Sequence, residues 1–380
     1  MERIYLDHAA TTPVHQDVVR EVMSVMEQTY GNPSSIHAFG REARKTVNDA
    51  RKVLARTIGA KENEIIFTSG GTEADNQAII GVAMERASEG KHMITTVIEH
   101  HAVLHTFEHL EKLGFEVTYL PVDEQGRISI DELKQALRED TILVSVMFGN
   151  NEVGTIQDIG TIGALVRESN AYFHSDAVQA YGVVPISVND LHIDLLSVSS
   201  HKINGPKGIG FLYCREGVAI SSVLYGGEQE RKRRAGTENV PAIAGFAKAA
   251  EIIQNGMEQK NSQLLLFKQT MCDILAERGI AFEVNGSSDH CLPHVCNLSF
   301  PGTHVEALLA NLDLAGIAAS SGSACTAGSI NPSHVLVAMY GKDSEKISNS
   351  IRFSFGMNNT LQQIEKAAHT TADIINRLTK

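Results

Sequence analysis

Residues 64–85 read EIIFTSGGTEADNQAIIGVAME. Glu64–Thr68 is a short apolar run with two β-branched isoleucines, which predicts a strand. Ser69-Gly70-Gly71-Thr72 interrupts it, and the stretch up to about Glu85 predicts a helix. A strand that turns through glycines into a helix is the unit from which parallel α/β sheets are built. The same alternation continues. Strands are predicted at Met93–Ile98, Val117–Leu120, Ile142–Met147, Ala171–His174 and Asp194–Val198. Helices are predicted at His101–Leu113, where Val103, Phe107 and Leu110 share a face, at Ser129–Leu137 with Ser129 as N-cap, and at Ile159–Ser169. The fold class is therefore α/β: a large domain with a mainly parallel sheet covered by helices on both faces.

The pattern changes after about residue 240. Two long helices are predicted at Pro241–Glu258 and Lys260–Arg278, then strands at Val295–Phe300 and Ile351–Phe355, and a closing helix at Leu361–Leu378. This reads as a smaller α+β domain. The expected division is residues 15–260 for the large domain and 1–14 with 261–380 for the small one.

The composition of the 380 residues is that of an ordinary globular chain, 43% hydrophobic and 21% charged, which excludes disordered and fibrous classes. A net charge of −12 disfavours direct nucleic acid binding. The cysteines are Cys214, Cys272, Cys291, Cys296 and Cys325. Their number is odd and too small for a disulfide framework, so a reducing cytoplasm is expected. Residues 1–12 include Glu2, Arg3 and Asp7 and have no apolar core, so no secretory signal is expected. No apolar run approaches ~18 residues, so no membrane span is expected.

Several short stretches carry chemistry. Val198-Ser199-Ser200-His201-Lys202 ends an apolar strand and leads into Gly205-Pro206-Lys207-Gly208. A lysine hemmed in there loses solvation, its amine becomes nucleophilic, and it suits a Schiff base with a carbonyl cofactor. The alternative is a surface lysine in a glycine-rich turn. Gly70, Gly71 and Thr72 begin a helix, and its free N–H groups suit one phosphate monoester. The spacing is neither that of a Walker loop nor that of a dinucleotide fingerprint. Asp176, after a short strand, would sit at the sheet's carboxyl edge, where a carboxylate holds a pyridinium nitrogen protonated, or it is simply an N-cap. Together these are the parts that pyridoxal 5′-phosphate requires, and His100 supplies a stacking partner. Cys325 lies in a loop of small residues, Ser320-Ser321-Gly322-Ser323-Ala324-Cys325-Thr326. In Ser350–Phe355, alternation puts Ile351, Phe353 and Phe355 on one face and Arg352 on the other, where it could grip a carboxylate or form a solvent ion pair.

The chain closely resembles the cysteine desulfurases of the class V, fold-type I pyridoxal phosphate enzymes. The resemblance runs nearly end to end and rests on Tyr5–Pro13, Gly31-Asn-Pro-Ser-Ser, Thr68-Ser-Gly-Gly-Thr-Glu, Glu99-His-His-Ala-Val, Asn150-Asn-Glu-Val-Gly, Ser175-Asp-Ala-Val-Gln, Ser200-His-Lys and Arg234-Ala-Gly-Thr-Glu-Asn. The Ser321-Gly-Ser-Ala-Cys-Thr loop resembles the first subgroup, with a long catalytic loop. It implies that Lys202 carries the cofactor and moves the Cα proton, while His100 stacks on the ring and shuttles protons. Asp176 is implied to meet the ring nitrogen and Gln179 the ring oxygen, with Asn151 near that oxygen and the substrate. Gly71, Thr72, Ser199 and His201 are implied to hold the phosphate. Thr237 is implied to reach the phosphate in a neighbouring subunit, hence a homodimer. Arg352 is implied to bind the carboxylate of L-cysteine. Cys325 is implied to take its sulfur as a persulfide, leaving L-alanine, and to pass it to an acceptor protein. The implied acceptor is a tRNA-thiolation enzyme or an iron–sulfur scaffold. The chain stops at Lys380, just after its last helix, where iron–sulfur members commonly extend. A selenocysteine lyase and a class V aminotransferase share the cofactor.

Two features point to other classes. His101, His105 and His109 share a helical face, and His290-Cys291-x-x-His294-x-Cys296 is dense in ligand types, so either could bind zinc. The expectation is no metal. Arg231-Lys232-Arg233-Arg234 is expected to be a solvated basic loop that an acidic acceptor or its RNA could use.

Overall fold

The computed structural model describes residues 3–322 and 332–379. Its centre is a seven-stranded sheet. In spatial order the strands are Ile65–Thr68, Gly210–Cys214, Leu195–Ser199, Tyr172–Asp176, Thr141–Ser145, His92–Thr96 and Glu116–Leu120. Leu195–Ser199 through Glu116–Leu120 are joined by parallel ladders, while Gly210–Cys214 runs against both its neighbours. The expected mainly parallel sheet is present. Strands such as His92–Thr96, Thr141–Ser145 and Leu195–Ser199 are buried at every position, as a sheet covered on both faces requires.

The helix Gly71–Glu85 lies over one face. Ala74, Ala78, Gly81 and Ala83 are buried on it, and such small side chains let a helix approach the sheet closely. On the other side, Gln16–Gln28 and Ala38–Thr57 pack with Val240–Asn255. The helices Gln16–Gln28 and Ala38–Thr57 go beyond the sequence reading. Their N-caps are histidines: His15 accepts from Asp17 N and His37 from Gly40 N. Histidine is not among the usual capping residues.

A second, antiparallel sheet has the order Ser350–Ser354, Val295–Ser299, Glu283–Asn285. Ile351, Phe353 and Phe355 enter its core beside Phe267, Leu298 and Ile375. Ile4 and Leu6, from the start of the chain, join the same core. The N-terminal segment then crosses back to the large sheet: Thr12 Oγ1 donates to His201 O at 2.8 Å. Most predicted elements sit within two residues of their expected bounds. Tyr172–Asp176 runs two residues further than expected, so Asp176 closes its strand.

Candidate active site

Successive strands of the large sheet end on one cavity of about 440 Å³. Its wall takes Gly71 and Thr72 from beyond Thr68, and His100 from beyond Thr96. Met147, Gly149 and Asn151 follow Ser145, Asp176 and Gln179 close the next strand, and Ser199, His201 and Lys202 close another. Ala9 and Ala10 come from the N-terminal segment, and Gly322 and Arg352 from the side of the small sheet. This is the carboxyl edge of an α/β sheet, where such folds bind ligands. Gly71, Thr72, His100, Asn151, Asp176, Gln179, Ser199, His201, Lys202 and Arg352, all singled out in the sequence, meet here. Cys325 lies outside the described residues, three positions after Gly322. Thr237 does not line the cavity: it is exposed and borders a surface cleft with Glu238 and Asn239.

Lys202 sits in a short 3-10 turn, Ser200–Lys202, directly after its strand. Its Nζ donates to Ala9 O at 2.5 Å and Ala10 O at 2.8 Å. His100 caps the helix His101–Lys112 by accepting from Ala102 N at Nδ1, 3.1 Å. Burial, then the charge of Lys202 and the neighbouring His101, His334 and His105, push its pKa down to about 4. The ring is thus neutral at neutral pH and, with Nδ1 accepting, carries its proton on Nε2. His201 is held down to about 4 for the same leading reason, burial, followed by Lys202 and Lys207.

Asp176 Oδ1 accepts from Val178 N at 2.9 Å. Burial raises its pKa to about 6, outweighing that hydrogen bond and the pull of Lys202. Asp75, on the helix Gly71–Glu85, is buried beside it and raised further, by burial first and the Asp176 charge second. Two such carboxyls do not both ionise easily. Burial thus disfavours ionisation of Asp75 more strongly, and Asp176, on the cavity wall with Lys202, is the member better placed to meet a cation there.

Arg352 is buried, 2% exposed. It donates from Nη2 to Asp7 Oδ1 at 2.7 Å and from Nη1 to Asn151 O at 2.9 Å, while Nε has no hydrogen-bond partner among the described residues. The alternative reading of Arg352, a solvent ion pair, gives way to a largely buried pair with Asp7. At Gly71 an added Cβ would lie 2.8 Å from Val178 Cγ2. The backbone there is open at the N-terminus of a fifteen-residue helix, which suits a phosphate.

Asp75, Asp7 and the carbonyls of Ala9 and Ala10 escaped the sequence reading of the site. Asp75 is four residues after Gly71, one helical turn on, and that spacing places it on the same face. Asp7, Ala9 and Ala10 lie within the Tyr5–Pro13 stretch, but only the long-range crossing of the N-terminal segment brings them to the cavity.

The other sequence signals resolve differently. Among the described residues, no group of three or more His, Cys, Asp or Glu side chains is arranged to hold a metal. His101 and His105 stack, with ring centroids 5.0 Å apart. The basic run is not wholly solvated. Arg233 donates to Asn63 O at 2.8 Å, and Arg234 pairs with Glu73 at 2.7 Å. Arg231 and Lys232 are exposed. The turn has positive φ at Glu230, Arg231 and Lys232 (47°, 57° and 66°). It is pinned by the buried Glu230 carboxylate, which takes two 2.7 Å hydrogen bonds from Arg51.

The residues present fit pyridoxal 5′-phosphate: a glycine cradle at a helix N-terminus, a buried carboxyl for a ring nitrogen, a lysine and a guanidinium whose Nε–H has no partner among the described residues share one cavity. The aminotransferase class-V family model matches residues 4–367. The chain is 60% identical to the putative cysteine desulfurase IscS 1 of Bacillus subtilis, covering all of both chains. It is 49% identical to the cysteine desulfurase IscS of Methanosarcina thermophila, over 99% of this chain and 92% of that one. A solved NifS-like protein superposes with a TM-score of 0.93 at 36% identity, over 99% of this chain and all of the other. The chain belongs to the aminotransferase class-V family of pyridoxal 5′-phosphate enzymes, within its cysteine desulfurases.

Proposed function

We propose that this cavity takes the sulfur from L-cysteine and hands it to Cys325, releasing L-alanine. The observation that carries the reading is the convergence of Lys202, Asp176, His100 and the Gly71–Thr72 cradle on one cavity whose wall includes Gly322. Gly71, Thr72, Ser199 and His201 hold the phosphate, Asp176 the ring nitrogen, and Gln179 with Asn151 the ring oxygen. Bound there, pyridoxal 5′-phosphate supplies an electron-withdrawing ring that acidifies the substrate Cα and weakens its C–S bond. Lys202 anchors the group and moves the Cα proton. Neutral His100 lies against the ring and carries a proton on Nε2. Arg352 grips the substrate carboxylate. At Cys325 a thiolate forms an S–S bond with the substrate sulfur as the C–S bond breaks, and a proton returned to the carbon completes L-alanine.

We further propose a homodimer in which Thr237 of a second copy completes the phosphate site; its exposure, away from its own cavity, supports this. Two lobes, 15–260 and 1–14 with 261–380, are supported by the separate core around Phe353 that includes Ile4 and Leu6. The sulfur passes from Cys325 to an acceptor protein for tRNA thiolation or iron–sulfur assembly, and the unpaired thiols of Cys214, Cys272, Cys291 and Cys296 suit a cytoplasmic setting.

The test is turnover by the purified holoenzyme. L-alanine should form from L-cysteine without a keto-acid acceptor, with alkylation and mass spectrometry locating a persulfide on Cys325. A Cys325→Ala variant that releases sulfide at the full rate would overturn the assignment.

A further inference from the structure

His294 belongs to the His290-Cys291-x-x-His294-x-Cys296 run, and nothing in the mechanism above uses it. It immediately precedes the strand Val295–Ser299 of the small sheet, yet its ring reaches the turn that follows the strand Tyr172–Asp176 of the large one. His294 Nε2 lies 3.1 Å from Gln179 Oε1, while Nδ1 has no hydrogen-bond partner among the described residues. An amide oxygen only accepts, so the ring proton sits on Nε2 and His294 is the donor. On the other side, Gln179 Nε2 donates to Ala9 O at 2.9 Å, the same carbonyl that receives Lys202 Nζ. One N–H of the Gln179 amide remains for the cavity it lines.

The ring stays neutral. The charged and titratable groups around it are Lys260, His8, Lys202 and Arg352, and burial first, then these groups, push its pKa down to about 3. His8 is itself held down to about 4, chiefly by burial. No carboxylate among these groups favours the imidazolium.

A primary amide has two ends of nearly equal shape and opposite hydrogen-bonding sense. Without a donor on Oε1, Gln179 would bury an unsatisfied oxygen. It could then turn that oxygen toward the cavity, where it would repel an anionic ligand atom instead of donating to it.

We propose that His294 is a positioning residue for the cofactor's ring oxygen: by holding Gln179 Oε1 it keeps an amide N–H, not the amide oxygen, turned to that atom. The inference rests on the reading that Gln179 meets the ring oxygen of pyridoxal 5′-phosphate. It ties the small sheet to the cofactor through a single hydrogen bond.

The test is spectroscopic. A donor to the ring oxygen stabilises its more negative form, so it lowers the pH at which the holoenzyme's visible band titrates. His294→Leu fills the space but donates nothing. It should raise the band midpoint by about half a pH unit or more and weaken pyridoxal 5′-phosphate binding about three- to tenfold. His294→Asn, whose amide N–H can donate, should restore most of both. A folded His294→Leu protein with the parental midpoint overturns the proposal, as does failure of His294→Asn to move the midpoint back. Loss of packing alone would lower the melting temperature and leave the midpoint in place. Gln179→Leu separates the two layers. If it shifts the midpoint and His294→Leu does not, the positioning role alone fails. If Gln179→Leu changes neither midpoint nor affinity, the ring-oxygen reading beneath it fails.

Discussion

Lys202 Nζ lies 2.5 Å from the carbonyl oxygen of Ala9, a residue far away in sequence, in the segment that links the small core to the large sheet. The lysine is therefore held by backbone as well as by its strand. Lys202→Arg should keep the positive charge and these hydrogen bonds, because guanidinium also donates. It stays protonated at working pH and is not a nucleophile. We expect a folded protein that lacks the cofactor's visible band and loses about two to four orders of magnitude in alanine formation. Lys202→Ala should lose the band too. A Lys202→Arg protein with an intact band and normal turnover would remove Lys202 from the mechanism.

Arg352 offers a second measurement. Asp7 Oδ1 and Asn151 O fix the guanidinium at its two Nη atoms, leaving Nε without a partner among the described residues. Lysine at this position supplies one compact charge and cannot keep both fixed contacts while gripping a carboxylate in a fork. Arg352→Lys should raise KM for L-cysteine about tenfold or more while changing kcat and the cofactor band little. Equal losses in kcat with an unchanged KM would place Arg352 outside substrate binding.

The local arithmetic of the strands made the large sheet legible. Buried parallel strands are short apolar runs, and the residues just beyond them, Gly71, His100, Asp176 and Lys202, fall on the ligand edge by topology alone. What stayed hidden depends on contacts far apart in sequence. Asp7 meets Arg352 at a separation of 345 residues, and Gln179 meets His294 at 115. No periodicity encodes such pairs. The His294 run resembled a zinc site because ligand residue types cluster there. The strand that follows carries the neighbouring side chains to alternate faces, and its histidine turns to an amide instead.

Stability should depend on pH in a defined direction. Burial is the leading cause that holds His8 and His100 near pKa 4 and His174 and His294 near 3. In the unfolded chain they titrate near 6.5. Between these values the unfolded state binds more protons, so stability falls as pH falls, by up to about 1.4 kcal/mol per pH unit for each histidine. Glu99 acts the other way. Burial raises its pKa to about 8 despite hydrogen bonds from Met147 N and Thr96, so its contribution is present at low pH and lost as pH rises through 8. Asp75 and Asp176, raised by burial, act in the same sense as Glu99, but the buried histidines, His201 near 4 among them, outnumber these carboxyls below 6.5. The apoprotein's melting temperature should therefore drop steeply from pH 6.5 to 5 and change gently from 7 to 8. A melting temperature flat across pH 5–6.5 would contradict the buried, neutral state of these rings.

The last prediction concerns the two ends of the segment 323–331. Ser333 Oγ donates to the buried Glu152 Oε2 at 2.5 Å and accepts from Leu336 N at 3.1 Å, capping the helix His334–Tyr340. At the other end, a Cβ added to Gly322 would fall 2.7 Å from the same Oε2, and Gly322 has φ of 91°. One carboxyl thus meets both ends, and glycine is needed at one of them for space and for conformation. Gly322→Ala should force Glu152 or the chain entering 323–331 to move, at a cost of about 1–3 kcal/mol. Cys325 lies three residues on, so the transfer of sulfur to it should slow, while cofactor binding, made by the strand ends of the large sheet, should not change. The comparison to make is the single-turnover rate of persulfide formation, read by alkylation and mass spectrometry, against the cofactor band in the same sample. A parental persulfide rate in Gly322→Ala would mean that the approach of Cys325 does not depend on how its segment is rooted at Glu152. A lost cofactor band would place Gly322 in cofactor binding instead.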